Sequence, residues 1–387
     1  MNNPILVVSR SFPPSVVAGT STVAYRLFKN INPLDYVVIR GDLHPNDATT
    51  KLNCTDHIFE IFPRRYVYTR FSFLFVPGLI ISTILFLKRN KIKPRQVLAF
   101  YPFSFYAIAA YYVARFLKIP FSVYFMDVWE EAEGNWFGRK LAHHFEPILV
   151  KSADPLITLS EPLQTHFVKK YGLTSHTILH PLPIDQFHPE VRYQKIEKKK
   201  FKIVYTGNIY ELNRVAVENM IKAVRLLPQN TFEIFFFGGQ SFDDLTRFLD
   251  LDPNDPVQVE YINSSDVPLI QRNADILFAG ISASGLNKIT AETTFPTKFV
   301  EYLAAGQPIL IQAPVHTYFA QFCLKNQCAE VVTESSPEAV KLGLEKIIND
   351  HEYAFHLAQQ AVKTVQMFNA DTQVYKLAKL FGLRTQS

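Results

Sequence analysis

A short apolar run, a glycine-bearing loop and a helical segment open the chain at Ile5–Ser9, and the same succession starts again at Phe201–Tyr205. Between and after these points, short apolar runs alternate with helical segments. In the first half the runs are Tyr36–Arg40, Ile58–Phe62, Val97–Tyr101, Phe121–Phe125 and Pro155–Leu159; in the second they are Ile234–Phe237, Val257–Tyr261, Ile276–Ala279 and Pro308–Ile311. Continuous apolar runs of this length fit strands covered on both faces, and strands that alternate with helices imply parallel sheets. The expected class is therefore α/β. A chain of 387 residues, 48% of them apolar and 19% charged, can bury two cores. The charged connector Gln194–Lys200 separates them, giving Rossmann-like domains of about 1–185 and 195–365, with 366–387 a closing helix.

Thr293–Gln312, TTFPTKFVEYLAAGQPILIQ, carries the most chemistry. Thr297 is placed to cap a helix through Ala305, Gly306 to end it in a left-handed turn, and Pro308 to forbid continuation. The start of such a helix offers free N–H groups and partial positive charge to an anion. Lys298 adds a full charge there, and Glu301 shares its helix face. A diphosphate suits the lysine end, and ribose hydroxyls suit the carboxylate one turn on. The same spacing equally fits a plain amphipathic helix, with Phe299, Val300, Leu303 and Ala304 inside and Lys298 and Glu301 in water.

Parallel sheets present ligands at the carboxyl ends of their strands. Gly19 follows the first strand in the loop RSFPPSVVAGTST, where Thr20 or Ser21 can cap the next helix. Asp127 follows Phe121–Phe125 and is either a polar group of a ligand site, a loop carboxylate or a cap. Gly207 follows Phe201–Tyr205, and a helix expected over Val215–Leu227 would put Arg214 at its start, where a guanidinium can grip phosphate or simply face water. The polar stretch Gly280–Phe295 reads as a long loop. Terminal helices are expected near 336–349, 352–368 and 371–381.

Cys54, Cys323 and Cys328 fit neither a disulfide framework nor a zinc site, and Met1–Pro4 lacks the charged region of a signal peptide, so a cytoplasmic protein is expected. The formal charge is +5. An apolar run, Phe71–Leu87, has Arg64, Arg65 and Arg70 before it and Lys88, Arg89, Lys91, Lys93 and Arg95 after it. It stands at the lower length limit for a span and contains Pro77-Gly78, so a buried or interface-lying helix, its basic flanks drawn to an anionic membrane surface, is favoured over a spanning one. No recognition motif points to nucleic acid.

The pattern P-T-K-x-x-E-Y-x-A-x-G-x-P-I at 296–309 resembles the donor-site segment of GT-B glycosyltransferases, especially family 4. Ala153–Ser160, ADPLITLS, resembles that family's A-D-x-I-I-x-x-S segment. His180–Pro189 resembles its domain boundary, with Leu182-Pro183 in place of Asn-Gly. Tyr205–Tyr210 with Arg214 resembles its phosphate segment, with Asn208 and Asn213 where Arg and Lys are usual. In the N-terminal loop one of two family glycines is Ala18. The resemblance implies two Rossmann-like domains facing a central cleft and transfer of a sugar, with retained configuration, from a UDP- or GDP-linked donor. It implies no cofactor and no protein-bound metal. Catalysis would fall to Asp127, Arg214 and Lys298, and donor binding to Gly19, Gly207, Arg214, Thr297, Lys298 and Glu301. A paired family glutamate falls at Thr293, with Glu292 one residue off. The acceptor expected is a saccharide or lipid-linked hydroxyl of the cell envelope. A nucleotide-sugar epimerase and a non-catalytic membrane-associated binding protein remain the other readings of this sequence.

Overall fold

The computed structural model describes residues 3–13, 19–41, 51–59, 70–102, 104–133, 136–194, 200–263, 265–282 and 288–386. It divides into two compact units, Met1–Pro181 with Ala370–Ser387, and Leu182–Asn369.

The first unit is built on β1 (Ile5–Ser9), α1 (Gly19–Phe28), β2 (Tyr36–Gly41), β3 (Thr55–Phe59), α2 (Val76–Arg89), β4 (Gln96–Tyr101), α3 (Ser104–Leu117), β5 (Phe121–Phe125), α4 (Trp136–Ser152), β6 (Ala153–Thr158), α5 (Glu161–Tyr171) and β7 (His176–Thr177). All strands pair in parallel, in the order β3-β2-β1-β4-β5-β6-β7. Every residue of β1, β2 and β5 is buried, as helices on both faces require. The strand order reverses between β1 and β4, which opens a crevice at their carboxyl ends.

Three expectations for this half need correction. The strand expected at Ile58–Phe62 is the polar edge strand Thr55–Phe59, whose Asp56 pairs with Arg40 at 2.7 Å; residues 60–62 lie outside the described residues. The run Phe71–Leu87 is not one helix, because a 3-10 turn, Arg70–Phe75, precedes α2 and Pro77 occupies its first turn. Neither Thr20 nor Ser21 caps α1, since the helix already begins at Gly19 and buries both. Arg64, Arg65, and Pro14 to Ala18 of the first loop lie outside the described residues. Among the described residues no helix is long and apolar enough to cross a membrane.

The second unit contains α6 (Ile184–Phe187), β8 (Phe201–Thr206), α7 (Glu211–Arg225), β9 (Phe232–Phe237), α8 (Phe242–Leu249), β10 (Val257–Glu260), α9 (Val267–Arg272), β11 (Ile276–Gly280), α10 (Lys288–Thr293), α11 (Thr297–Ala305), β12 (Ile309–Gln312), α12 (Tyr318–Asn326), β13 (Glu330–Val332), α13 (Pro337–Asn349) and α14 (His351–Thr364). Its sheet is also wholly parallel, ordered β10-β9-β8-β11-β12-β13. Tyr205, Met220, Phe232, Phe236 and Phe278 form part of its core. Helix α7 starts four residues before the expected Val215: the Asn213 side chain accepts from the Tyr210 N–H at 2.8 Å and donates to the Tyr205 hydroxyl at 2.8 Å. The stretch 280–295 is not all loop, since α10 lies in it; residues 283–287, and 195–199 of the connector, are outside the described residues.

The chain then returns to the first unit with α15 (Ala370–Phe381), whose Val374, Leu377 and Phe381 join the core containing Leu27 and Phe28 of α1. Beyond it, Arg384 pairs with the buried Asp35 at 2.5 Å, and Thr385 bridges to Ile31. The two hydrogen bonds from Arg384 outweigh burial and hold the Asp35 carboxyl below the usual range.

Candidate active site

At the carboxyl edge of the second sheet, β8 runs into Gly207, whose φ of 91° favours glycine. The Gly207 N–H donates to Phe237 O at 2.7 Å, at the end of neighbouring β9. There the chain turns through Gly238-Gly239, and Gly239 N–H donates to Asn208 Oδ1 at 2.9 Å. A Cβ on Gly238 would stand 3.0 Å from Gly207 O. The two glycine turns thus pack backbone to backbone and leave the strand ends bare of side chains.

Helix α11 begins at this same edge, because it follows β11 and returns toward β12. It is anchored along its length. Phe295, just before it, packs edge-on against Phe299 at 5.6 Å and Phe319 at 5.9 Å between ring centres. One turn in, the Tyr302 hydroxyl accepts from Thr206 N–H at 2.8 Å, tying the helix to the residue before Gly207. Gln271 Nε2 donates to Thr206 Oγ1 at 3.1 Å from the other side. At the far end Gly306, φ 73°, takes the backbone N–H groups of Arg192 and Tyr193 at 2.8 and 3.0 Å, and a Cβ there would lie 1.8 Å from Glu190 O. The expected cap is corrected: Pro296 holds that position, and Thr297, the first helical residue, caps nothing.

This framework brings Lys298 and Gly207 together. Lys298 Nζ lies 3.4 Å from the place a Gly207 Cβ would take and 3.6 Å from the centre of the Tyr205 ring. The nitrogen is sealed from solvent and, among the described residues, has no hydrogen-bond partner. Burial lowers the ammonium to about 7, although Glu301 one turn away pulls it upward. The amphipathic reading that put the Lys298 ammonium in water therefore fails at the nitrogen, although the residue as a whole is part-exposed, as is Glu301. An unsatisfied cation, a side-chain-free glycine turn and a helix start at one spot suit a polyanionic ligand. A separate cavity of ≈ 650 Å³, with Arg192, Tyr193, Arg272 and His351 in its lining, includes Phe201 and Ile276 at the strand beginnings and so lies at the opposite edge of this sheet.

In the first unit, Asp127 follows β5 at the carboxyl edge. It accepts the Val128 N–H at 2.9 Å, and burial raises its carboxyl to about 6 despite that bond. It caps no helix. Its loop is pinned by a network that the sequence reading did not include. Lys170 of α5 reaches Glu130 at 2.9 Å, Glu131 at 2.7 Å and the fully buried Glu146 of α4 at 2.7 Å. Glu146 also accepts the Glu130 N–H at 2.9 Å and the Tyr171 hydroxyl at 2.5 Å. Burial pushes the Glu131 carboxyl upward, but hydrogen bonds from His166 and Lys170 bring it down to about 2. The three carboxylates are near enough to hold a metal ion, yet Lys170 already occupies the space between them. Gly19, the exposed first residue of α1, stands after β1 in the same unit.

The model of the family of group 1 glycosyl transferases matches residues 189–364, which includes Gly207, Lys298 and Glu301. Residues 189–364 are a group 1 glycosyltransferase domain. The fold of the whole chain is GT-B. It is similar to Anabaena Alr3699/HepE, solved in complex with UDP, with a TM-score of 0.68 and 14% identity over 98% of this chain and 99% of that one. Sucrose-phosphate synthase from Thermosynechococcus elongatus gives 0.71 and 14% over 98% of both chains. WaaG, a glycosyltransferase involved in lipopolysaccharide biosynthesis, gives 0.60 and 15% over 97% and 99%. By sequence, no curated protein matches.

Within this glycosyltransferase Arg214 does not precede its helix, as expected, but is the fourth residue of α7. It lies in the first turns of α7, one residue past Asn213, and its partners are Glu218 at 2.8 Å, Glu211 at 3.9 Å and the Phe248 ring at 4.9 Å. Gly207 and Lys298 are not among them. Thr293 is buried and turned inward, its hydroxyl donating to Ile289 O at 2.9 Å, while Glu292 reaches Lys288 at 3.8 Å on the exposed side of α10. Tyr205 and Tyr302 do more positioning than the sequence suggested. Only their places, at the end of a strand and one residue past Glu301, hinted at it.

Proposed function

We propose that this glycosyltransferase moves a sugar from a UDP- or GDP-linked donor to a hydroxyl on a saccharide or lipid-linked acceptor of the cell envelope, with anomeric configuration retained. The supporting observation is the Lys298 ammonium, sealed from solvent, without a hydrogen-bond partner among the described residues, and set against Gly207 at a helix start. A diphosphate placed there receives the ammonium and the free N–H groups, and Glu301 accepts from ribose hydroxyls. As the glycosidic bond breaks, charge builds on the departing nucleotide, and fixed donors stabilise it without reorganising. UDP in the Anabaena relative's complex and UDP-glucose in a second complex of that protein fit this donor class. Asp127, held at about 6, can exchange a proton near neutrality on the acceptor side. Arg214 contributes only if it exchanges Glu218 for phosphate.

The test is a panel of nucleotide sugars assayed for binding and for turnover with and without acceptors. Lys298→Ala should lower turnover on the preferred donor by about 10²-fold or more with folding preserved, and Glu301→Gln should weaken nucleotide binding. Wild-type turnover in Lys298→Ala would remove the mechanism, and conversion of the donor to an epimeric sugar without acceptor, rather than to free sugar by hydrolysis, would make the protein an epimerase.

A further inference from the structure

The geometry points to a membrane-docking face on the first unit, formed by α2, α3 and α4 and suited to the surface of a bilayer containing anionic lipid. It deepens the proposal of a lipid-linked acceptor and rests on that reading only for its purpose.

The steps β3 to β4, β4 to β5 and β5 to β6 all run the same way along the sheet, so right-handed crossovers place α2, α3 and α4 on one face. Aromatic contacts join them side by side. Phe73, just before α2, meets Phe137 of α4 at 5.2 Å, and Tyr112 of α3 meets Phe145 of α4 at 6.5 Å. The inner side of α2 is occupied: Leu79, Thr83 and Leu87 are buried, His57 of β3 stacks on Phe86 at 4.8 Å, and its Nε2 meets Ser82 Oγ at 2.7 Å.

The outer side is apolar where a water-facing helix would be polar. Leu74, Ile81, Phe116 and Trp136 are exposed by 60%, 59%, 61% and 66%, and Leu85 by 45%. Ile81 and Leu85 stand four apart on one stripe of α2, which ends in the exposed Lys88 and Arg89. Phe116 lies between the exposed Arg115 and Lys118, and Lys140 Nζ sits 5.0 Å above the Trp136 ring.

Charge decides what covers this face. From residue 61 to residue 126 the chain contains ten lysines and arginines and no aspartate or glutamate. Helix α4 adds the exposed Arg139, Lys140 and Lys151 against one acid, the buried Glu146. Large apolar groups bordered by cations in this way fit an interface-lying surface: the side chains enter the headgroup layer and the cations meet lipid phosphates. The helices are too short to cross, so the face lies on the bilayer. A second copy of the chain would bring the same cations against one another, which disfavours it.

Sedimentation with vesicles tests this, comparing neutral phosphatidylcholine with a mixture containing phosphatidylglycerol. The full chain should bind the anionic vesicles at least tenfold more tightly, and binding should weaken with salt. Ile81→Ser with Leu85→Ser, and separately Lys88→Glu with Arg89→Glu, should each reduce it about tenfold or more. Nucleotide-sugar binding by the same variants should be unchanged, which separates this face from the donor site and reports folding. Equal binding to both vesicle types, variants that bind like wild type, or a loss of self-association in place of vesicle binding would each overturn the proposal.

Discussion

Donor binding should take up a proton, and Lys298 should receive it. In the free protein burial holds this ammonium at about 7, against an ordinary 10.5. That difference corresponds to roughly 5 kcal/mol disfavouring the charged form. The sign follows: a lysine depressed by folding contributes stability that is fully present above its ordinary range and lost as pH falls through about 7. A diphosphate beside Nζ reverses the preference and restores the charge. At pH 8 roughly one free molecule in ten is charged at this site, so binding should take up about 0.9 proton, and at pH 6 only about 0.1. Above pH 8 the affinity should fall about tenfold per pH unit. Calorimetry of nucleotide-sugar binding in two buffers of different ionisation enthalpy measures the uptake directly, because the diphosphate diester does not itself titrate there. Lys298→Arg should abolish it, since a guanidinium stays charged. A donor that binds at pH 8 without proton uptake, or with equal uptake in Lys298→Arg, would refute the reasoning.

Three further outcomes follow from the same geometry. Gly306→Ala should cost about 3 kcal/mol or more in urea unfolding, because alanine resists a φ of 73° and its Cβ would overlap Glu190 O. Asp127→Asn should be more stable than the parent at pH 8, by up to roughly 3 kcal/mol. A carboxyl raised to about 6 contributes stability that is present below the usual 3.8 and lost as pH rises through 6, so the gain should vanish in melts at pH 4. Lys170→Met should destabilise by about 3–5 kcal/mol in thermal or urea unfolding, as Glu130, Glu131 and Glu146 lose their shared cation.

Much of this protein is legible in its residues, and the failures have local causes. Helix α11 runs over the expected span, Thr297 to Ala305, because Pro296, Gly306 and Pro308 leave the backbone few alternatives. Helix α5 begins after Ser160, which accepts the Leu163 N–H at 3.4 Å, the bond a capping serine makes. The start of α7 was hidden because Tyr210 and Asn213 look like turn residues until the Tyr205 hydroxyl is seen to fix Asn213. No element was assigned to α4, whose polar run includes Pro147 inside the helix. Lys298 illustrates the larger limit. Periodicity placed it on a wet face, and only the approach of α11 to the end of β8 reveals that its nitrogen is sealed over Tyr205. The Lys170 network was unreadable for the same reason, as its members come from α4, α5 and a loop.

The first unit is assembled from two stretches, Met1–Pro181 and Ala370–Ser387, which the whole second unit separates along the polypeptide. During synthesis, Leu27 and Phe28 therefore emerge hundreds of residues before the helix that covers them, while the whole second unit can close on itself in the interval. Nascent chains should carry an unfinished, sticky first half until α15 has left the ribosome. A chain cut just before Ala370 would then leave residues 1–181 incomplete while the second unit stayed whole.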